Sequence, residues 1–294
     1  MPELPDVTVY VEQLRTRLEG KRLARIRLIH PFVLRSVAPP LSAAEGKKLV
    51  GVRRLGKRIV FELEGALFLV IHLMIAGRLR WLPKDKKPPG RLALATFDFE
   101  DATLLLTEAG TKRRASIHLV EGEAALAAMD PGGIDVFEAT PAEFAARLKR
   151  DNHTVKRALT DPHLFSGIGN AYSDEILHRA KLSPFAQTSS LSEKEVSRLF
   201  DATQATLLEW TDRLRKKAGA DLPEKVTAFH EEMAVHGRYR KPCPVCGSPV
   251  QRIVYAENET NYCARCQTGG RILADRALSR LLKASWPRSI DELE

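Results

Sequence analysis

Lys57-Arg58-Ile59-Val60-Phe61-Glu62-Leu63-Glu64-Gly65-Ala66-Leu67-Phe68-Leu69-Val70-Ile71-His72-Leu73-Met74-Ile75 is the stretch on which the fold turns. Lys57 to Leu63 and Ala66 to Ile75 are rich in β-branched, aromatic and leucine residues and show no helical period. The Glu64-Gly65 pair between them supplies a turn, so the pattern predicts an antiparallel hairpin. Leu92 to Phe99 and Thr103 to Thr107 repeat the pattern around a Glu100-Asp101 turn. Trp81 to Gly90, with Pro83, Pro88, Pro89, Gly90 and three lysines, reads as a loop between strands. Successive hairpins of this kind close on one another as a β-sandwich or barrel.

On the N-terminal side, Val7, Val11, Leu14 and Leu18 recur at i, i+4, i+7 and i+11, an amphipathic helix that ends near Gly20. Past Pro131-Gly132-Gly133 the pattern turns helical as far as about residue 218. Ser192 and Glu195 form a capping-box signature, and Val196, Leu199, Phe200, Thr203, Leu207, Trp210 and Leu214 mark one face of a helix closed by Gly219. A patch with Gly219, Asp221 and Pro223 leads to a cysteine-bearing module from about His236, then to a helical tail around Leu273 to Leu282. The expected fold class is α+β and multidomain. Its parts are an N-terminal antiparallel β-sandwich with a leading helix (1–130), a helical domain (131–235), a four-cysteine finger (236–270) and a helical tail (271–294).

Composition excludes several classes. With 294 residues, 44% of them hydrophobic, and 18 glycines and 17 prolines, the chain is neither disordered nor collagenous and suffices for about two domains. The apolar run Ala66 to Ile71 is broken at His72, far short of the ~20 residues of a membrane span, so no membrane partner is expected. Met1-Pro2-Glu3-Leu4-Pro5-Asp6 lacks the basic and apolar regions of a signal peptide, which points to a reducing, cytoplasmic compartment. The 46 basic against 37 acidic residues leave a net charge of +9, the footprint of a polyanion partner. Lys47, Lys48, Arg53, Arg54, Lys57 and Arg58 fall within twelve positions that hold no acid, and such clumping favours nucleic acid over mere solubility.

All four cysteines lie in Cys243-Pro-Val-Cys246 and Cys263-Ala-Arg-Cys266, sixteen residues apart. Two Cys-x-x-Cys turns at this spacing close a tetrahedron around one Zn2+, and four thiolates leave no open position, so the metal is structural. Gly247 suits the first turn, and Gln251 to Tyr255 begins a hairpin.

Four motifs in order carry a resemblance: Met1-Pro2-Glu3-Leu4-Pro5-Asp6-Val7, Gly56-Lys57-Arg58 entering a strand, Leu164-Phe165-Ser166-Gly167-Ile168-Gly169-Asn170-Ala171-Tyr172-Ser173-Asp174-Glu175, and the four-cysteine finger. Together they resemble the formamidopyrimidine-DNA glycosylase / endonuclease VIII family of base-excision repair, over nearly the whole chain to about Gln267. The third motif is similar to that family's helix-two-turn-helix. The resemblance implies a monomer that binds damaged double-stranded DNA in a cleft between its domains. It further implies removal of oxidised or ring-opened bases and nicking of the strand, in the bacterial cytoplasm and on the nucleoid.

The residues support that chemistry directly. Loss of Met1 gives Pro2 a free secondary amine, and a terminal amine near pKa ~8 is far easier to unprotonate than a lysine near ~10.4. Attack on the sugar C1′ expels the base and leaves an iminium, the electron sink for β-elimination of the 3′ phosphate. Glu3, tethered beside the nucleophile, is placed to protonate the ring oxygen or the leaving base. The resemblance gives Lys57 a phosphate near the lesion and a part in elimination. It gives Lys156, Gly167, Gly169 and Asn170 a phosphate at a helix N-terminus. It gives Met74 the wedge that fills the gap left by the extruded nucleotide.

Two departures bear on specificity. Thr111-Lys112-Arg113-Arg114-Ala115-Ser116 has the arginines of the family's Arg-Arg-Phe-Gly loop without its phenylalanine, so Arg113 and Arg114 are the expected DNA contacts there. The finger hairpin has Asn258 where the family has an arginine, and asparagine cannot clamp phosphate bidentately. Asn258 puts the δ-elimination step in question, with Arg252, Arg265 or Arg271 as candidates to compensate. Two alternatives follow: a weakly catalytic or non-catalytic damaged-DNA-binding protein of the same fold, and a zinc-ribbon regulator, which the long β-rich N-terminus disfavours.

Overall fold

A computed structural model of the chain describes residues 1–83, 86–109, 112–223, 230–255 and 258–293. Lys84 and Asp85 of the expected loop, and Thr111, lie outside the described residues. The chain divides into two compact units, Met1–Pro131 with Trp210–Thr227, and Gly132–Glu209 with Ala228–Glu294. Among the described residues no helix is long and apolar enough to cross a membrane.

The first unit opens with helix α1 (Leu4–Leu18), whose Val7, Leu14 and Leu18 are fully buried. Eight strands follow: β1 (Leu23–Leu28), β2 (Leu49–Leu55), β3 (Arg58–Leu63), β4 (Leu67–His72), β5 (Gly77–Leu82), β6 (Ala93–Phe99), β7 (Thr103–Glu108) and β8 (Ser116–Glu121). They form two antiparallel sheets, ordered β1-β6-β7-β5 and β2-β3-β4-β8. Phe61 of one sheet meets Phe97 of the other edge-to-face at 6.3 Å, so the two close as a sandwich over one core. A short helix, α2 (Glu123–Ala127), covers the outer face of the second sheet. This explains the near-continuous apolar run of β3 and β4. Ile59, Phe61, Leu69 and Ile71 face the sandwich, while Val60, Phe68 and Val70 pack on Leu126 of α2.

Three readings of the strand pattern need correction. Strand β5 runs through Trp81 and Leu82, which pair with Leu104 and Thr103, so the expected loop begins two residues later. The strand expected over Ala66 to Ile75 is shorter: Ala66 takes φ +54 in the turn, and the ladder stops at His72. Strands β1, β2 and β8 are interrupted by Arg25 and Arg27, by Arg53 and Arg54, and by His118 and Glu121, and the apolar signal there is too sparse to read. The expected basic patch is likewise broken up: Arg53 pairs with Glu62 and Glu123, and Arg58 donates to the Met129 carbonyl.

The second unit holds α3 (Pro141–Leu148), α4 (Val155–Thr160), α5 (Asn170–Arg179) and the first part of α6 (Glu193–Ala218). Phe144 packs against Phe165 and Phe200 at 4.7 and 5.2 Å. The Ser192–Glu195 capping box forms as expected: the Ser192 backbone N–H donates to the Glu195 carboxylate at 2.9 Å. The finger contributes β9 (Gln251–Tyr255), β10 (Asn258–Tyr262) and α7 (Ala264–Thr268). The tail helix α8 (Arg276–Leu282) starts three residues later than expected, because Leu273 instead enters the finger's core with Ile253, Tyr262, Ala264 and Ile290.

Candidate active site and nucleic-acid interface

Pro2 is buried just ahead of α1, and Pro5 in the first turn fixes the backbone for helix entry. Glu3, 2% exposed, is the N-cap; it exchanges capping-box hydrogen bonds with Asp6, its N–H donating to the Asp6 carboxylate at 2.8 Å. The chain's terminal amine has its pKa pushed down by burial, aided by Arg78 and Lys57 and opposed by Glu3 and Asp6. Lys57 sits in the β2–β3 turn, where Gly56 takes φ +59. Its ammonium is also pushed down by burial, with the negative charge of Glu3 opposing. Pro2, Glu3 and Lys57 are thus brought together as one acid–base cluster. Asp6, quoted in the N-terminal motif but given no role there, and Arg78, which no motif marks, complete it. Burial raises the Asp6 carboxyl to about 7, while the Glu3 N–H opposes.

His72 is the last residue of β4, and its buried Nε2 has no hydrogen-bond partner among the described residues. Burial and then the charges of Arg58, Lys57 and His118 lower its pKa to about 4. The β4–β5 turn places Met74 at φ +52, half-buried, and Ile75 at 54% exposure. Met74 is therefore a turn residue in a left-handed backbone, and the more exposed side chain is its neighbour. In the β7–β8 connection the buried Glu108 carboxylate accepts the N–H groups of Arg114 and Ala115 at 2.9 and 3.0 Å. Arg113 donates to the Arg91 carbonyl, and the Arg114 side chain is exposed.

In the second unit, Gly167 takes φ +82 and Gly169 is the N-cap of α5, so Asn170 is its first residue. Lys156 on α4 is 11% exposed and donates to the Asn170 carbonyl at 3.0 Å, to Ser173 at 2.9 Å and to Asp174 at 2.5 Å. The other Asp174 oxygen bonds His236 Nδ1 at 2.7 Å and the Asn261 N–H at 3.0 Å. The Asn170 side-chain amide donates to the Glu259 carbonyl at 2.8 Å, which ties the helix N-terminus to the finger hairpin beside exposed Asn258. Of the arginines that could compensate for Asn258, Arg252 pairs with Glu259 and stacks on Tyr239, and Arg265 pairs with Asp291. Asp174 and His236 are not legible in sequence, since only the packed structure places them beside Lys156.

The sulfur atoms of Cys243, Cys246, Cys263 and Cys266 all lie within 4.8 Å of one another, with Cys246 and Cys263 at 3.4 Å and Cys243 and Cys266 at 3.9 Å. A tetrahedron with Zn–S of about 2.3 Å has S···S edges of roughly 3.8 Å, so the donor set fits one structural Zn2+. His178 Nε2 lies 3.3 Å from the Cys243 sulfur, the position of a partner that orients a ligand.

Residues 1–115 match the formamidopyrimidine-DNA glycosylase N-terminal domain, 131–216 its H2TH domain, and 240–269 the zinc finger found in FPG and IleRS. Formamidopyrimidine-DNA glycosylase of Thermus thermophilus is 34% identical over 92% of this chain and 100% of its own length. A Listeria monocytogenes enzyme of the same name is 30% identical over 91% and 100%. The crystal structure of the T. thermophilus protein superimposes with a TM-score of 0.76 at 32% identity, covering 90% of this chain and 98% of that one. The Lactococcus lactis Fpg in complex with an abasic site containing DNA gives 0.80 at 25% identity, covering 90% and 99%. The order of the three domains, the full-length match and the four-thiol finger place this chain in the formamidopyrimidine-DNA glycosylase family.

Proposed function

We propose that the protein is a bifunctional DNA glycosylase and abasic-site lyase of base excision repair, acting on damaged double-stranded DNA as a monomer in the bacterial cytoplasm. The observation that carries this reading is the buried terminal amine of lowered pKa, set between Glu3 and Lys57. Once Met1 is removed, the secondary amine of Pro2 takes over this environment. Unprotonated, it attacks C1′ of the damaged nucleotide; the C1′–N bond breaks, and the base leaves with a proton from Glu3. The new ammonium gives up its proton, O4′ takes one up and the C1′–O4′ bond opens to an iminium, which withdraws electrons, so that loss of the C2′ proton expels the 3′ phosphate, which Lys57 stabilises as it departs. Water then hydrolyses the Schiff base and regenerates the amine.

The grip on DNA is assigned to Lys156, Gly167, Gly169 and Asn170 at the start of α5, and to Arg113 and Arg114. Gly167 and Gly169 let a phosphate approach the backbone N–H groups. The wedge is assigned to the β4–β5 turn, Met74 with the more exposed Ile75. Catalysis falls to 1–130 and the duplex grip to 131–235 and 236–270; 271–294 supports the finger.

Borohydride trapping on an abasic duplex tests the reading. A covalent adduct mapped to Pro2 is expected, and its absence in protein shown to lack Met1 would sink the nucleophile assignment. Asn258 favours a second reading for the later step: with no charge at that hairpin position, strand cleavage stops at the β-elimination product. Asn258→Arg is expected to add δ-product on a sequencing gel.

A further inference from the structure

Phe32 is 78% exposed, which is costly for a side chain of its apolar area. Flexibility does not explain it, because its backbone is held on both sides. It lies in a single 3-10 turn, Pro31–Val33, whose Val33 is buried in the sandwich core. Ahead of the turn, the N–H groups of Ile29 and His30 donate to the Leu94 carbonyl at 2.9 and 3.0 Å. Behind it, the Arg35 N–H donates to the Ile117 carbonyl at 2.8 Å. The ring therefore stands out from a backbone held on both sides.

Its surroundings are cationic. Phe32, His30, Arg35 and Arg113 line one small cavity of about 30 Å3, and among the described residues no acid takes part in the lining. An exposed aromatic face among arginines suits a nucleobase flanked by phosphates. In an intact duplex both faces of every base are covered by their neighbours. A base offers a free face only where the adjoining stack is broken, as it is when a damaged nucleotide is extruded.

We propose that Phe32 stacks on the nucleobase left unpaired by that extrusion, with Arg35 and Arg113 on flanking phosphates. This rests on the glycosylase reading and adds to it a residue that senses the undamaged strand. The test places 2-aminopurine opposite a tetrahydrofuran abasic analogue in a duplex and reads its fluorescence as protein is added. Stacking by the native protein, and by Phe32→Tyr, is expected to quench the probe. Phe32→Leu, which keeps the apolar bulk, is expected to lose the quenching, and Phe32→Ala is expected to bind about ten- to a hundredfold more weakly. Val37→Ala, at an apolar residue 94% exposed on the same segment, controls for general surface effects. Quenching and affinity equal to native in Phe32→Leu and Phe32→Ala would overturn the proposal, as would an equal loss in Val37→Ala. Borohydride trapping of the native protein on a natural abasic site is scored separately. A failure there overturns the lyase chemistry, while the fluorescence, which needs only binding, still judges Phe32.

Discussion

A carboxyl group that burial makes reluctant to ionise makes folding depend on pH in a definite direction. Asp6 titrates near 3.9 in an unfolded chain and at about 7 in the fold, where burial is the main cause. Its contribution is full below about pH 4 and is lost as pH rises through 7, because the unfolded chain then ionises freely while the folded one resists. Asp6→Asn is therefore expected to flatten the fall in melting temperature between pH 4 and 7, a difference of up to about 4 kcal/mol at pH 8. His72 acts with the opposite sign. Its ordinary value of 6.5 drops to about 4 on burial, so its contribution is present above 6.5 and is lost as pH falls through 4. His72→Gln is expected to protect the fold at pH 4 to 5 and to change nothing at pH 8, as melting curves would reveal. Pro2, Glu3 and Lys57 are singled out in sequence by the family resemblance, with the amine and the acid also suiting the proposed chemistry. The protonation states of Asp6 and His72 are not legible there, because burial is set by what the rest of the chain packs around them.

At the scale of elements, legibility follows the number of buried faces. Strands β3 and β4 stand out because they are covered on both sides, and α6 because its apolar face is long and capped by Ser192. Strands β1 and β2 are missed because Arg25 and Arg27 in the one, and the adjacent Arg53 and Arg54 in the other, break the apolar pattern. Turn geometry is the least legible. Met74 reads as part of an apolar strand, yet the ladder ends at His72 and Met74 is left-handed. The cause lies at Gly77, whose N–H donates to the Leu73 carbonyl at 2.8 Å. A Cβ there would stand 2.2 Å from that carbonyl oxygen, so no other residue permits so tight a turn. Gly77→Ala is expected to destabilise the sandwich by roughly 2 kcal/mol or more and to displace Met74 and Ile75, weakening abasic-duplex binding. Gly90→Ala, where a Cβ meets nothing within 4 Å, is the matched control and should melt as native.

For the molecule as a whole, the question is how a finger so small remains ordered. Four thiolates on one Zn2+ close the knuckles, and Cys246→Ser is expected to release the metal and weaken DNA binding, as mass spectrometry under native conditions would report. The metal is not the sole support. Beyond residue 269, where the finger match ends, the tail returns to the hairpin: the Leu273 N–H donates to the Tyr262 hydroxyl at 2.8 Å, and Asp275 accepts the Val254 N–H at 3.0 Å. Leu273 and Ile290 fill the space beside Ile253 and Tyr262. A chain ending at Gly270 would open this cluster to water and strip those two hydrogen-bond partners from the hairpin. It is expected to give up zinc to a chelating dye several times faster than the full chain and to bind abasic DNA less tightly. Equal rates of zinc release would show instead that the cysteine knuckles hold the hairpin without help from the tail.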